Sequence, residues 1–498
     1  MLRHLPKFTY SGLTIVLSNP SRFDKTELLS GTGGYYFQNA CLAPDLNRWL
    51  CDIRLESDKR PLLTGTKCIL LLGDRALHSW TNTTNSLSEQ RGAPIETNMG
   101  VIGIASYLPQ DALDIQAYEK QLNPAADGYE EALEDLAKKD YVGEKSRSAT
   151  ARSNWRFWLR QDTKRAIELL HLDGKVPARP YEPEYHIYPS SATIIDKLTN
   201  TKNKDLFIDI ETDFETADMR CFAFSFGPDE RNVADVYVVP TLDTKYKPAY
   251  AQLPHIMRAL CIGFRDNCVV AHNGAHFDFF VLAHKYRVPL GRRCFDTMVA
   301  QHRIYPQVEK SLGHCTSLWT WEPYHKNEGV HGYMNQDQAH RLYAYCGKDV
   351  YTMCLIKDAQ LKHAKTVRGL TESIQQACDS IRPYLITSLL GIHYNQKLVD
   401  ELVKENDRLM SQYQRLMGIL TGPKVPPLIS NKKCVSYFHE MLNYPPVKMS
   451  VKTKRPSLDG SSLYKLKLKH NNPVIDILLN YRRVQKETGA LLFTPWKS

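Results

Sequence analysis

Five side chains in this sequence could do chemistry together. Asp209 and Glu211 end the run Leu206-Phe207-Ile208-Asp209-Ile210-Glu211-Thr212. Asp278 closes His272-Asn273-Gly274-Ala275-His276-Phe277-Asp278, and Tyr345 and Asp349 bracket Tyr345-Cys346-Gly347-Lys348-Asp349. Two acids side by side at the end of an apolar strand repel each other and resist desolvation. Nothing in local packing rewards that arrangement, whereas a hard divalent cation such as Mg²⁺ would, because it takes carboxylate oxygens and leaves positions for phosphate and water. Singly, the other residues have ordinary uses. An Asp at a helix start caps it or meets its dipole, and a Tyr and an Asp at helical spacing commonly sit on a surface. His272, His276, His302 and His314 read as structural, since hard ions prefer oxygen.

These side chains need elements to hold them. Strand alternation puts Leu206, Ile208 and Ile210 on one face and Phe207, Asp209 and Glu211 on the other. Cys221–Phe226 and Val236–Val239, separated by Gly227-Pro228-Asp229, complete an expected three-strand antiparallel meander. Ala251–Phe264 has helical spacing, Cys268–Ala271 is a short buried strand, and a helix begins near Ala275. Tyr345 and Asp349 lie in a helical run from about Asp337 to Leu355, four residues apart and so on one face.

Taken in order, these motifs resemble the DEDDy class of 3′–5′ exonucleases, in the form found as proofreading domains of phage-type family A DNA polymerases. Asp209-Ile210-Glu211 is similar to the first motif, Asn273 to Asp278 to the second, and Tyr345-x-x-x-Asp349 to the third. Phe295-Asp296-Thr297-Met298 and the stretch from Ser311-Leu312 to Ser317-Leu318-Trp319-Thr320 add to the likeness. The resemblance implies a ribonuclease H-like α/β domain over 184–365. It implies that Asp209, Glu211, Asp278 and Asp349 hold two Mg²⁺ ions, with Mn²⁺ as a substitute, about 3.5–4 Å apart. Asp209 would bridge, Glu211 and Asp349 would serve the ion that binds the attacking water, and Asp278 the leaving-group side. Tyr345 would orient the water, a phenol's reference pKa of about 10 being too high for a strong base. Thr212, Asn273 and Phe277 are candidates for holding the terminal nucleotide, and the product would be a nucleoside 5′-monophosphate.

The first third, 1–178, reads as another α/β domain. Lys67–Gly73 is an apolar strand that runs into a helix from Asp74 to Trp80, and Gly100–Ala105 is a second strand candidate. A polar stretch from about Glu130 to Thr150 suits helix and loop. Ser153–Trp158 and Asp162–Leu170 suit a closing amphipathic helix. The Leu-Leu-Leu-Gly-Asp-Arg-Ala-Leu step, the order of elements and the Asn-Trp-Arg-Phe-Trp helix resemble the uracil-DNA glycosylase superfamily. The family's catalytic histidine before a proline is replaced by Leu108 before Pro109, and leucine can hydrogen-bond no uracil carbonyl. No acidic water-activating motif stands around Ser18-Asn19-Pro20-Ser21. A degenerate domain without glycosylase activity is expected. Three prolines in Val176–Pro183 mark a linker.

The formal net charge is +10, and all of it lies at the C-terminal end: Thr421–Ser498 holds 14 Lys and Arg against 4 Asp and Glu. A localised basic patch points to a phosphate backbone. Helices are expected at Leu370–Leu390, at Lys397–Leu420 with Leu398, Leu402, Leu409, Tyr413, Leu416 and Leu420 along one face, from about Ser461, and at Ile475–Lys486. Gly391-Ile392-His393-Tyr394, the Lys454-Arg455-Pro456-Ser457-Leu458-Asp459 turn and Tyr481-Arg482-Arg483 resemble the thumb entry of family A polymerases, so 366–498 is expected to grip duplex backbone and bind a polymerase; the DNA expected as the chain's partner is a single-stranded 3′ end and a primer-template duplex. No palm carboxylates follow. The expected partner is a separate palm-and-fingers chain, unless those parts were truncated, and no polymerase activity is expected of this chain alone.

At 498 residues the chain suits about three domains. Its 43% hydrophobic and 24% charged composition is that of a globular protein. Twelve scattered cysteines without a C-x-x-C pair fit a reducing compartment. No apolar run approaches a membrane span, and Leu13–Leu17 is too short for a signal-peptide core. The cytoplasm, of a host cell if the chain is phage-encoded, is the expected location. Two other readings stand beside this one. A free-standing ribonuclease D-like exonuclease would act on RNA. A non-catalytic scaffold that clamps DNA or a polymerase would show a lost carboxylate, and none is lost.

Overall fold

The computed structural model describes residues 10–18, 28–29, 32–42, 46–58, 60–110, 149–213, 215–245, 247–329, 335–391, 395–449 and 456–492. Asn19-Pro20-Ser21, nearly all of Glu130–Thr150, Ile392-His393-Tyr394 and Lys454-Arg455 lie outside them. The chain forms two compact units, Met1–Leu390 and Gly391–Ser498. The first is α/β and contains two sheets.

The first sheet comprises β1 (Leu13–Leu17), β2 (Asp52–Leu55), β3 (Cys68–Leu72), β4 (Pro94–Glu96) and β5 (Ile102–Ser106) in the order β2-β1-β3-β5-β4. All pairings are parallel except β4 with β5. β1 and β3 are buried on both faces, which explains their largely aliphatic composition. The run noted above only as too short for a signal peptide is thus an interior strand. The expected step from β3 into helix α1 (Asp74–Trp80) is present. Its turn residue Gly73 has φ +94°, and a Cβ there would lie 2.4 Å from Ser18 Oγ, so only glycine fits. One long helix, α2 (Ala149–His171), covers the sheet and buries Trp158, Leu159, Ala166 and Leu169.

The second sheet comprises β6 (Glu182–Ile187), β7 (Asp205–Thr212), β8 (Met219–Pro228), β9 (Val233–Pro240), β10 (Cys268–Ala271) and β11 (Arg293–Asp296), in the order β11-β10-β7-β8-β9-β6. The expected meander β7-β8-β9 is antiparallel, while β10 and β11 run parallel to β7 on its other side. β7 therefore lies where the sheet changes from one pattern to the other. The proline-rich linker runs straight into β6, an edge strand parallel to β9. Pro183 is tolerated there because an edge strand leaves one row of amides unpaired.

Helix α3 (Gln336–Ala364) lies across β7, β8 and β9. Gly347 lets it come close: a Cβ there would sit 3.0 Å from Val238 and 3.1 Å from Tyr185. The single helix expected over Leu370–Leu390 is two, α4 (Leu370–Asp379) and α5 (Ile381–Leu390). Their Ile374, Cys378, Ile381 and Leu385 belong to the same core as the second sheet. The compact division accordingly falls after Leu390, within the helical segment expected to begin at 366.

The second unit is helical. Helix α6 (Gln396–Thr421) ends at Gly422, and α7 (Gly460–His470) and α8 (Pro473–Leu492) follow. Its core gathers Met417, Leu428, Phe438, Leu463, Leu466, Ile475, Leu478 and Tyr481. The face of α6 toward that core carries Met410, Tyr413 and Met417, whereas Leu398, Leu402, Leu416 and Leu420 of the expected stripe are exposed. The apolar positions wrap more than one side of the helix, and periodicity alone chose the longer row.

Candidate metal centre

β10 pairs with β7 only as far as Phe207. Beyond that point the two strands part, and the β7 amides on that side need other acceptors. Asp278 supplies one: its Oδ1 accepts the Ile210 N–H at 3.0 Å. Asp278 is the first residue of the helix Asp278–Tyr286 and is buried. On the other side, the β7–β8 register shifts between Glu211 and Thr212, a bulge of the kind that re-aims side chains at a strand end. Both departures from regular pairing fall at the carboxylate-bearing end of β7, where open α/β sheets present ligand crevices.

The turn before Asp278 is held by another acid. Asp296, fully buried, accepts from the Asn273 N–H at 3.1 Å and the Gly274 N–H at 2.8 Å. It also caps the following helix through the N–H groups of Met298 and Val299. Asn273 adopts φ +64°, a left-handed conformation that Asn tolerates. Phe277 remains 40% exposed beside Asp278, and Thr212 and Asn273 are half-buried.

Helix α3 brings the last pair. Tyr345 is half-buried and Asp349 is 2% exposed. One carboxylate oxygen each from Asp209, Glu211 and Asp349 lie within 4.8 Å of one another. Asp278 stands outside this trio, with one oxygen engaged on the β7 backbone.

The electrostatics follow from that crowding. Burial, then Asp349, Asp278 and Glu211, push the Asp209 carboxyl well above the usual range. Burial and Asp349 push Glu211 up to about 8. Burial pushes Asp278 up to about 7, against the hydrogen bond from Ile210. Asp349 is the exception. Burial works against its charge, but His325 and Lys326 hold it below the usual range. His325 Nε2 lies 2.8 Å from Asp349 Oδ1, and Lys326 Nζ lies 2.5 Å from Oδ2. Lys326 also donates to Tyr345 Oη at 2.5 Å. Burial and Asp349 raise the Tyr345 phenol above its ordinary value.

An all-oxygen, charge-crowded donor set of this kind fits Mg²⁺ or Mn²⁺. Among the described residues, one other cluster has ligand spacing, Glu184, His186 and Asp235. There a cation already stands beside both acids, Arg231 lying 3.6 Å from Glu184 and 3.2 Å from Asp235. His325 and Lys326 escaped the sequence reading because they lie in an aperiodic polar segment, Tyr324–Glu328, and neither matches a motif.

No protein-family model and no curated protein matches the chain. Among solved structures it is similar to the POL domain of Pol1 from M. smegmatis in complex with DNA primer-template and dNTP. The identity is 15% and the TM-score 0.42, over 62% of this chain and 49% of that one. The chain thus spans about half the length of that polymerase chain. It is also similar to Brucella melitensis NrnC with bound Mg²⁺, at 18% identity and a TM-score of 0.31, over 42% of this chain and 94% of that one.

Proposed function

We propose that this protein is a divalent-metal-dependent 3′–5′ exonuclease that trims DNA ends, with a ribonuclease H-like catalytic layer and a degenerate glycosylase-like first layer. The observation that carries this reading is the meeting of Asp209, Glu211 and Asp349 within 4.8 Å, from two elements about 140 residues apart in the chain. Two half-buried carboxylates crowded against a buried one are unfavourable without cations. Asp209, Glu211 and Asp349 would hold one ion, and Asp278, with Asp209, a second. When bound, such ions lower the pKa of a water and stabilise charge on a departing oxygen.

The chain's own side chains supply the remainder. Tyr345 holds the attacking water in line with the terminal phosphorus. Phe277, exposed beside Asp278, stacks on the last base, and Thr212 and Asn273 border its sugar. Water attacks phosphorus, the bond to the preceding 3′ oxygen breaks, and a nucleoside 5′-monophosphate leaves. The basic end of the chain, Thr421–Ser498, suits the phosphate backbone, which favours a proofreading role beside a polymerase chain.

The test is a 5′-labelled single-stranded DNA incubated with the protein in Mg²⁺ or chelator, beside a matched RNA. Stepwise shortening of the DNA that needs metal and vanishes in Asp209→Ala is expected. Shortening that persists in that variant overturns the assignment. Faster loss of the RNA moves it to a ribonuclease D-like activity.

A further inference from the structure

The segment Trp321–Glu328, which follows the last stretch of family likeness at Thr320, reaches the metal centre from outside every motif. It brings His325 to one oxygen of Asp349 and Lys326 to the other. The lysine side chain is 24% exposed. Its ammonium is shared between Asp349 Oδ2 and Tyr345 Oη, each at 2.5 Å, and lies 4.5 Å from the centroid of the tyrosine ring. An ammonium only donates hydrogen bonds. Tyr345 Oη must therefore accept from Lys326, and the phenol's own hydrogen is turned away from the lysine. Burial works against the lysine's charge, but Asp349, Tyr345 and Asp209 hold its pKa above the ordinary range.

The segment is pinned from its far side by the first-sheet layer. Asn327 Nδ2 donates to Asn85 Oδ1 at 3.0 Å. Arg165 donates to the Thr320 carbonyl at 2.6 Å and lies 3.9 Å from the Trp321 ring centroid. Arg91, paired with fully buried Asp162, donates to Ser317 Oγ at 3.1 Å. At the carboxyl ends of β1, β3 and β5, where such a sheet would bind a ligand, the described side chains are engaged with one another. Ser106 Oγ donates to Asp162 at 2.7 Å, Ser18 Oγ accepts from the Ala76 N–H at 2.9 Å, and Leu108 is 1% exposed.

Resting on the exonuclease reading above, we infer that Lys326 is a positioning residue for the trimming reaction. It fixes the Tyr345 hydroxyl and Asp349 relative to each other, and the first-sheet layer serves to hold Lys326 there. The lysine acts through tyrosine, so its loss should matter only while the tyrosine is present.

The experiment compares wild type, Lys326→Met, Lys326→Arg, Tyr345→Phe and the Lys326→Met/Tyr345→Phe pair on single-stranded DNA. Mn²⁺ binding is followed separately by electron paramagnetic resonance. Lys326→Met is expected to lower kcat about 10²-fold, the scale of a small misplacement at a reacting centre. KM and Mn²⁺ binding should be retained, and Lys326→Arg should recover most of the loss. In the Tyr345→Phe background the same change should cost less than about 2-fold, the mark of two groups acting as one. Full kcat in Lys326→Met, or an undiminished loss in the Tyr345→Phe background, overturns the inference. Loss of Mn²⁺ binding in both Lys326 variants also overturns it, by making the lysine part of the site's framework. A wild-type protein without metal-dependent trimming would instead remove the exonuclease reading itself.

Discussion

Replacing Glu211 by Gln should stabilise the metal-free protein while destroying its metal response. Glu211 is held at about 8 against 4.5 for a free glutamate, first by burial and then by Asp349. Its raised pKa means that the folded state keeps a proton which the unfolded chain has already released. Between pH 4.5 and about 8, wild-type stability therefore falls as pH rises; below that window the penalty is absent, and above it the penalty is constant. At about 1.4 kcal/mol per pKa unit the ceiling is about 5 kcal/mol. Neutralising one acid also relieves its neighbours, so the penalty is shared, and the variant should gain about 2 kcal/mol at pH 8, a few degrees in Tm. The assay is thermal unfolding of both proteins in chelator at pH 5 and pH 8, then at pH 8 with Mn²⁺. The variant should melt higher at pH 8 in chelator and nearly level at pH 5. Mn²⁺ should reverse the order, because an ion at 100 times its Kd adds about 2.7 kcal/mol to the protein that binds it. A variant that melts at or below wild type at pH 8 in chelator would refute the reasoning about crowded carboxylates.

Asp209→Ala should leave the circular dichroism spectrum unchanged and abolish trimming, by about 10³-fold or more, with no recovery at high Mn²⁺. Arg91→Met should strand the fully buried Asp162 without its partner, at a cost of about 3–5 kcal/mol; the double variant Arg91→Met/Asp162→Leu should melt well above the single one. Uracil-containing DNA should yield no excised base, since Leu108 is buried and has no hydrogen-bonding group, and Asp162 is engaged by Arg91 and Ser106; any product would refute the degenerate reading of this layer.

The sequence by itself determined which acids are candidates for the chemistry and the local elements that bear them. The alternation of Leu206–Thr212 marks a strand with acids on one face, and β7 is that strand. The meander and the helical spacing of Tyr345 and Asp349 were equally legible, because both follow from local periodicity. The five residues Leu13–Leu17, four of them aliphatic, did not announce an interior strand, since so short a run has no period to read. β6, with the sequence Glu-Pro-Glu-Tyr-His-Ile, owes its extended form to pairing with β9 rather than to its own residues. The core-facing row of α6 was misread for a related reason: several apolar rows run along that helix, and only its neighbours select one.

Tertiary structure alone decided the meeting of the acids. Asp209 and Asp349 come within ligand distance because α3 crosses the meander at β7, and strand order is a long-range property that no local window contains. The same holds for His325 and Lys326. Their place on Asp349 depends on the path of an aperiodic segment anchored by another layer, and a charge finds its partner through the fold, not through its neighbours in the chain.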